Sequence, residues 1–236
     1  MTQDEPYSRG MVVIAHADDA EWGCSGTVAK WCKNGMEVVY VLCTDGSKGS
    51  SDPRITSGEL IEIRHQEQLA AAKVLGVKEV VFLGYEDSML QPSLELRRDI
   101  ARQIRKHRPD ILICPSPVRS LSGRHFGHPD HLAAGEATLA AVFPAARDRL
   151  TFPELFAEGL EPHKVREVLV TGDRDEANKW IDVSDTIEVA VEALKQHASQ
   201  VGDNDVGSSI RRSRKEVGEA NGMAYAEAFK HFHLRY

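Results

Sequence analysis

Residues 11–19 read MVVIAHADD, five apolar residues that run without a break into a histidine and, two positions on, a pair of aspartates. A continuous apolar run of this length suits a strand covered on both faces, the usual state of parallel strands in α/β proteins. Three further runs of the same kind follow, at residues 38–43 (VVYVLC), 79–83 (EVVFL) and 111–114 (ILIC). Between and after them lie segments of helical character, at residues 26–34, 58–75, 93–107 and 129–143. The second is the best signalled, because Thr56 and Glu59 form a T-x-x-E capping box and Gly76 follows the last apolar residue as a C-cap. The third stops before Pro109. Alternation of strand and helix predicts right-handed crossovers and a doubly wound, Rossmann-like α/β fold, a mostly parallel sheet flanked by helices.

After Pro144 the rhythm loosens. Residues 165–170 and 181–183 read as strands, 184–197 as an amphipathic helix capped by Ser184 or Asp185, and 201–209 (VGDNDVGSS) as a loop. Residues 210–236 read as a helix and a short tail. At roughly 150 residues per domain, 236 residues make one large domain or two small ones. With no repeat, low-complexity tract or linker, the expectation is a single domain over residues 1–236.

Composition narrows the function. With 42% hydrophobic and 28% charged residues the chain is an ordinary globular one, so disorder, collagen and coiled coil are excluded. A net charge of −7 leaves no positive field to gather nucleic acid or an anionic membrane. The densest basic cluster, Arg211, Arg212, Arg214 and Lys215, is broken by Ser213 and reads as a solvated face. The N-terminal residues lack the basic and apolar regions of a secretory signal, and no apolar run approaches the ~18 residues of a membrane span, which points to a cytoplasmic protein. Cys24, Cys32, Cys43 and Cys114 form no C-x-x-C pair and read as reduced thiols rather than a cysteine metal site.

The chemistry concentrates in two places. His16, Asp18 and Asp19 follow the first strand, and His128, Asp130 and His131 follow the fourth within GHPDH, where Pro129 can open a helix. In the order 3-2-1-4-5 the first and fourth strands are neighbours at the switch point, so both clusters face one crevice. A histidine and an aspartate three residues apart in a tight turn can aim at one centre, and a third imidazole from across the crevice completes three ligands with a position left for water. Two imidazoles and a carboxylate suit Zn²⁺, with Fe²⁺ or Co²⁺ also compatible, whereas Mg²⁺ or Ca²⁺ would favour an all-oxygen shell. Bound zinc brings the pKa of its water toward about 7, which makes hydrolysis the implied chemistry. Either cluster alone could be a capped turn, but crowded carboxylates are costly without a cation. Dinucleotide binding fails, since the first turn has no G-x-G-x-x-G and carries acidic residues that repel a pyrophosphate.

AHADDAEWGCSGT resembles the first motif of the LmbE-like, or PIG-L, zinc-dependent N-acetylglucosaminyl deacetylases, and GHPDH resembles their second. TDGSKGSSDP, IRHQEQLAAAKVLGV, VFLGYEDSML, HASQ and AYAEAF extend the resemblance over about nine tenths of the chain. It implies His16, Asp19 and His131 as metal ligands and Asp18 as the general base. It implies that His128, as imidazolium, stabilises the oxyanion or acts as acid, with Asp130 holding its tautomer. Arg64 and Asp87 match positions associated with sugar hydroxyl or phosphate contacts, although Arg64 beside Glu59, Glu62 and Glu67 also reads as a surface ion pair, and Asp87 as a turn residue. His197 matches a motif near the substrate mouth. Two departures stand out: Ala17 replaces a proline, and Ser25 replaces a glycine where a side chain could crowd the ligand.

The expectation is therefore a zinc enzyme that removes acetyl from a small N-acetylated amino sugar or glycoside, and by the same resemblance a homo-oligomer, trimer or hexamer. An amidase acting on a sugar–thiol conjugate is the sibling reading. A non-catalytic sugar-binding protein would lack the base or acid, and phosphoester hydrolysis usually needs two metals or cationic clamps. Loops at residues 45–57, 85–92, 116–127 and 201–209 are expected to shape the acceptor pocket.

Overall fold

The first strand, β1 (Arg9–Ile14), is buried at every position from Gly10 onward, as a strand sandwiched between helical layers must be. A computed structural model describes residues 7–119, 126–172 and 176–235, so residues 120–125 of the expected acceptor loop lie outside the described residues. In chain order β1 is followed by α1 (Asp19–Gly23), α2 (Ser25–Lys33), β2 (Glu37–Thr44), α3 (Ser57–Leu75), β3 (Glu79–Tyr85), α4 (Leu94–His107), β4 (Ile111–Pro115) and α5 (Pro129–Ala140). Then come α6 (Pro153–Ala157), β5 (Glu167–Thr171), β6 (Lys179–Asp182), α7 (Ile187–Lys195), α8 (Ala198–Val201), α9 (Val206–Glu219) and β7 (Ala226–His233).

Among the described residues, the seven strands join one sheet in the order β3-β2-β1-β4-β5-β7-β6. The first five are parallel, with Met11 opposite both Val39 and Leu112, and β7 runs antiparallel to its two neighbours. Alternate side chains build two cores. Met11, Val13, Val41 and Leu112 pack with Leu96 and Ile100 of α4 and Ala133 and Ala137 of α5. Val12, Ile14, Tyr40 and Ile113 pack on the other face with Val28 of α2 and Ala71 and Leu75 of α3. Between β1 and β4 the winding direction reverses, and the crevice above their carboxyl ends is where this architecture binds ligands.

The capping box of α3 is present in full: Glu59 N–H donates to Thr56 Oγ1 at 3.3 Å and Thr56 N–H to Glu59 Oε2 at 2.9 Å, while Gly76 closes the helix at φ 82°. Three expectations for the second half need correction. The tail after residue 225 is the eight-residue strand β7. The loop at 201–209 contains α8's last residue and the first turn of α9, where Asp205 accepts the Ser208 N–H at 2.9 Å as N-cap. The helix expected at 184–197 is shorter, because Ser184 donates to Asp182 Oδ1 at 2.6 Å instead of capping, and α7 starts at Ile187.

Candidate metal centre and its surroundings

Beyond β1 the chain turns through His16, Ala17 and Asp18. Asp18 adopts φ 79°, a left-handed conformation that aspartate tolerates better than most residues. The reversal lets Asp19 open α1 and accept the His16 N–H on Oδ2 at 2.8 Å. On the adjacent strand, β4 leads to α5, whose N-cap is His128 and whose first residue is Pro129. The two turns bring His16, Asp19 and His131 together.

Their ligand atoms form a triangle. His16 Nδ1 lies 3.3 Å from His131 Nε2, His131 Nε2 3.0 Å from Asp19 Oδ1, and His16 Nδ1 3.7 Å from Asp19 Oδ2. A tetrahedral ion with bonds of about 2.0–2.1 Å separates its ligands by about 3.3–3.4 Å, so the triangle has the size of a zinc face. The protonation pattern agrees. His16 Nε2 faces Asp130 Oδ2 at 3.1 Å and Asp87 Oδ1 at 3.3 Å, and carboxylates can only accept, so the proton sits on Nε2 and Nδ1 keeps its lone pair. Two imidazole nitrogens and a carboxylate this close repel unless a cation or a proton lies among them. The donors present therefore fit a divalent ion.

Electrostatics follow from the same crowding. Without an ion among the donors, burial opposes the imidazolium of His16, but hydrogen bonds to Asp19 and Asp87 outweigh it and lift its pKa to about 10, so a cation bound at Nδ1 would take the place of that second proton. Burial also works against the Asp19 carboxylate, yet its bonds to His131 and His16 hold it well below the usual range. Asp18 has no such partner: burial, reinforced by the charge of Asp19 and opposed by His197, pushes it up to about 7. A divalent cation beside it would favour its ionised form.

Asp18 and His16 line a cavity of about 190 Å³ together with Lys48, Arg64, Asp87 and His128. Arg64 is not a surface ion pair with Glu59, Glu62 or Glu67; it is 8% exposed and donates from Nη1 to Gly46 O, Lys48 O and Asp87 Oδ2 at 2.8, 2.7 and 3.4 Å. Asp87 is 4% exposed and also accepts from Lys48 N–H and Ser88 Oγ, so it is more than a turn residue. Asp130 differs from its expected role. It is fully buried, accepts Ser88 N–H at 2.7 Å and Leu90 N–H at 3.3 Å, and approaches His16, while His128 Nδ1 stands 3.9 Å away. His128 Nδ1 instead accepts the Asp130 backbone N–H at 3.2 Å, which leaves the ring proton on Nε2. Burial and the charge of His16 lower the His128 pKa.

With the geometry in place, comparison with known proteins identifies the lineage. Residues 11–142 match the family described as PIG-L: GlcNAc-PI de-N-acetylase. The chain belongs to this family. Diacetylchitobiose deacetylase of Thermococcus kodakarensis is 33% identical over 234 residues, covering 96% of this chain and 85% of the relative. The structure of N,N'-diacetylchitobiose deacetylase from Pyrococcus horikoshii, complexed with its inhibitor MPG, superposes with a TM-score of 0.88 at 29% identity, over 96% of this chain and 84% of that one. A probable N-acetyl-alpha-D-glucosaminyl L-malate deacetylase 2 of Bacillus anthracis is 27% identical over 195 residues, 80% of each chain.

Behind the metal turn this PIG-L chain holds a buried network that spacing does not disclose. Gln68 Oε1 accepts the Asp18 N–H at 3.3 Å, Gln68 Nε2 donates to Glu21 Oε1 at 3.3 Å, and His197 Nε2 meets Glu21 Oε2 at 3.1 Å. All three side chains are at 0% exposure. Gln200 Nε2 adds a bond to Ala17 O at 3.0 Å, so the turn at Ala17 is tied down from α8. Ser25 does not crowd the site, since its Oγ donates back to Glu21 O at 2.7 Å. In the sequence, Glu21 lies in the first motif, Gln68 in IRHQEQLAAAKVLGV, and His197 and Gln200 in HASQ, but no spacing between these stretches announces that they meet.

Proposed function

We propose that the protein is a metal-dependent hydrolase that removes the acetyl group from an N-acetylglucosamine-type sugar or glycoside, with zinc as the resident ion held by His16, Asp19 and His131. The observation that carries this reading is the placement of an acid-poised buried carboxylate, Asp18, beside that triangle on the wall of a polar cavity. A divalent ion held by His16, Asp19 and His131 would supply Lewis acidity to the amide carbonyl and to a water. Asp18 takes the proton from the attacking water and returns it to the nitrogen as the C–N bond breaks, yielding acetate and an amine. His128 donates from Nε2 to the carbonyl oxygen as negative charge builds there. Asp130 holds the Nε2–H of His16, which keeps Nδ1 free as a ligand. Arg64 and Asp87 fix the loop at Gly46 and Lys48 and border the cavity where sugar hydroxyls would lie. A cytoplasmic homo-oligomer, trimer or hexamer, completes the reading and is open to light scattering; among the described residues no helix is long and apolar enough to cross a membrane.

Acetate release from N-acetylglucosamine, diacetylchitobiose and inositol- and malate-linked glycosides tests the reading, with zinc-loaded wild type beside Asp18→Asn. Wild type should release acetate from at least one, and the variant should lose 10²–10⁴-fold in kcat with zinc content unchanged. Stoichiometric zinc without release from any of these compounds would overturn it and favour amidase action on a sugar conjugate.

A further inference from the structure

The peptide bond between Ala17 and Asp18 is held at both of its polar ends by side chains from two different helices. Gln200 of α8 donates from Nε2 to Ala17 O at 3.0 Å, and the Asp18 N–H donates to Gln68 Oε1 of α3 at 3.3 Å. The next peptide is fixed as well, since Asp18 O accepts the Trp22 N–H at 2.9 Å. Both peptide planes flanking the Asp18 Cα are therefore set, at φ 79° and ψ −19°, and the side chain has one direction in which to leave the backbone. Aspartate tolerates positive φ without preferring it, so a turn free to rotate this peptide would relax toward negative φ. Among the described residues no hydrogen bond reaches the Asp18 carboxylate itself, so its aim rests on the backbone that carries it.

Neither glutamine is loose. Gln68 Nε2 lies 3.3 and 3.4 Å from the two carboxylate oxygens of Glu21, and an amide whose nitrogen faces a carboxylate must turn its oxygen the other way, here to Asp18. Glu21 is held in turn by His197 Nε2 at 3.1 Å, and Gln68, Glu21 and His197 are all at 0% exposure. Gln200 shares α8 with Ser199, whose N–H and Oγ both donate to Glu67 of α3 at 2.6 Å. Helix α3 thus supplies one hold directly and anchors the helix that supplies the other. Resting on the reading of Asp18 as general base, we propose that Gln68 and Gln200 are positioning residues of the reaction, which clamp this one peptide and so hold the base toward the attacking water. A displacement of about 1 Å at a reacting group costs on the order of a hundredfold in rate, so the clamp is read in kcat. Gln200 also borders the polar cavity, which makes the enclosed Gln68 the cleaner probe of KM.

The test uses Gln68→Met and Gln200→Met, which keep side-chain length and lose the hydrogen bond, alone, together and in an Asp18→Asn background. With zinc loaded, each single variant should lose at least about tenfold in kcat on an N-acetyl sugar that the wild type cleaves, while zinc affinity, and KM in Gln68→Met, stay within about threefold. Because both glutamines hold one peptide, the double variant should lose less than the product of the single losses. In Asp18→Asn, where no base remains to be aimed, either substitution should change the residual kcat less than about twofold. If Gln68→Met does not fold, Gln200→Met, at a half-buried position, carries the kcat comparison with and without Asp18. Unchanged kcat in the single variants, a double loss equal to the product, or the same loss with and without Asp18 would overturn the proposal. If the wild type cleaves none of the sugars, the deacetylase reading fails, and amide hydrogen exchange decides the clamp by itself. The Asp18 N–H should then exchange at least about tenfold faster in the single variants than in the wild type, and unchanged exchange would overturn the clamp.

Discussion

Replacing Asp130 separates two roles that its sequence position cannot. Its Oδ2 receives Ser88 N–H and faces His16 Nε2, and its Oδ1 receives Leu90 N–H, all at full burial. In Asp130→Asn the carbonyl oxygen can keep the Oδ2 contacts, but the amide NH2 then faces the Leu90 N–H, and the bond to His16 loses its charge, charge-assisted bonds being roughly twice as strong as neutral ones. The loss is about 1–1.5 kcal/mol, or about tenfold in zinc affinity. Asp130→Ala also strands two backbone donors at ~1–3 kcal/mol each, so about 3 kcal/mol of folding stability and about a hundredfold of zinc affinity should go. Competition against a chromophoric chelator reads the affinity, and urea denaturation of the metal-free protein reads the stability. A folded Asp130→Ala protein that binds zinc within threefold of wild type, yet loses turnover, would refute the assignment and return the carboxylate to His128.

Other consequences are equally direct. Gly135→Ala should destabilise by ~2 kcal/mol in thermal unfolding, despite alanine's better helix propensity, because the new Cβ would lie 2.4 Å from Pro115 O; a stabilised variant would contradict the packing. His163 is buried, bonds to Pro109 O at 2.7 Å, and is held down to about 4, chiefly by burial. The unfolded chain therefore takes up its proton below about pH 6.5 before the folded one does, and stability falls as pH drops toward 4. Between pH 7 and 5 this amounts to ~2 kcal/mol, which His163→Gln should abolish in denaturant titrations; an equal pH slope in both proteins would exclude it. Arg64→Lys gives up the fork that bridges Gly46 O, Lys48 O and Asp87, and should raise KM for the sugar about tenfold with zinc retained; an unaltered KM would remove Arg64 from the substrate side.

The parallel half of the sheet was legible because strands covered on both faces must be apolar at every position, as residues 38–43 are. β7 escaped notice for the converse reason. Its sequence AEAFKHFH buries Ala226, Glu227 and Phe229 but leaves His233 exposed, and Glu227 is tolerable inside only through Arg214 and the first N–H groups of α2. No local pattern announces a carboxylate whose partners lie far away along the chain. The meeting of His16 and Asp19 with His131 was readable because each side of it sits in one short motif. The partner of Asp130 was not, since it depends on how the β3–α4 loop presents Ser88 and Leu90. Glu21, Gln68 and His197 are likewise joined only by the fold.

The position of β7 between β5 and β6 also dictates a timetable for the growing polypeptide. β6 pairs with β7 alone among the described strands, and β5 meets nothing but β7 on its outer side. During synthesis β5 therefore presents a bare edge, and β6 waits unmatched, until residues 226–233 have left the ribosome. A chaperone that shields strand edges has its window in that interval, and a premature stop within α9 would yield a chain that still carries His16, Asp19 and His131 but leaves the β5 edge uncovered.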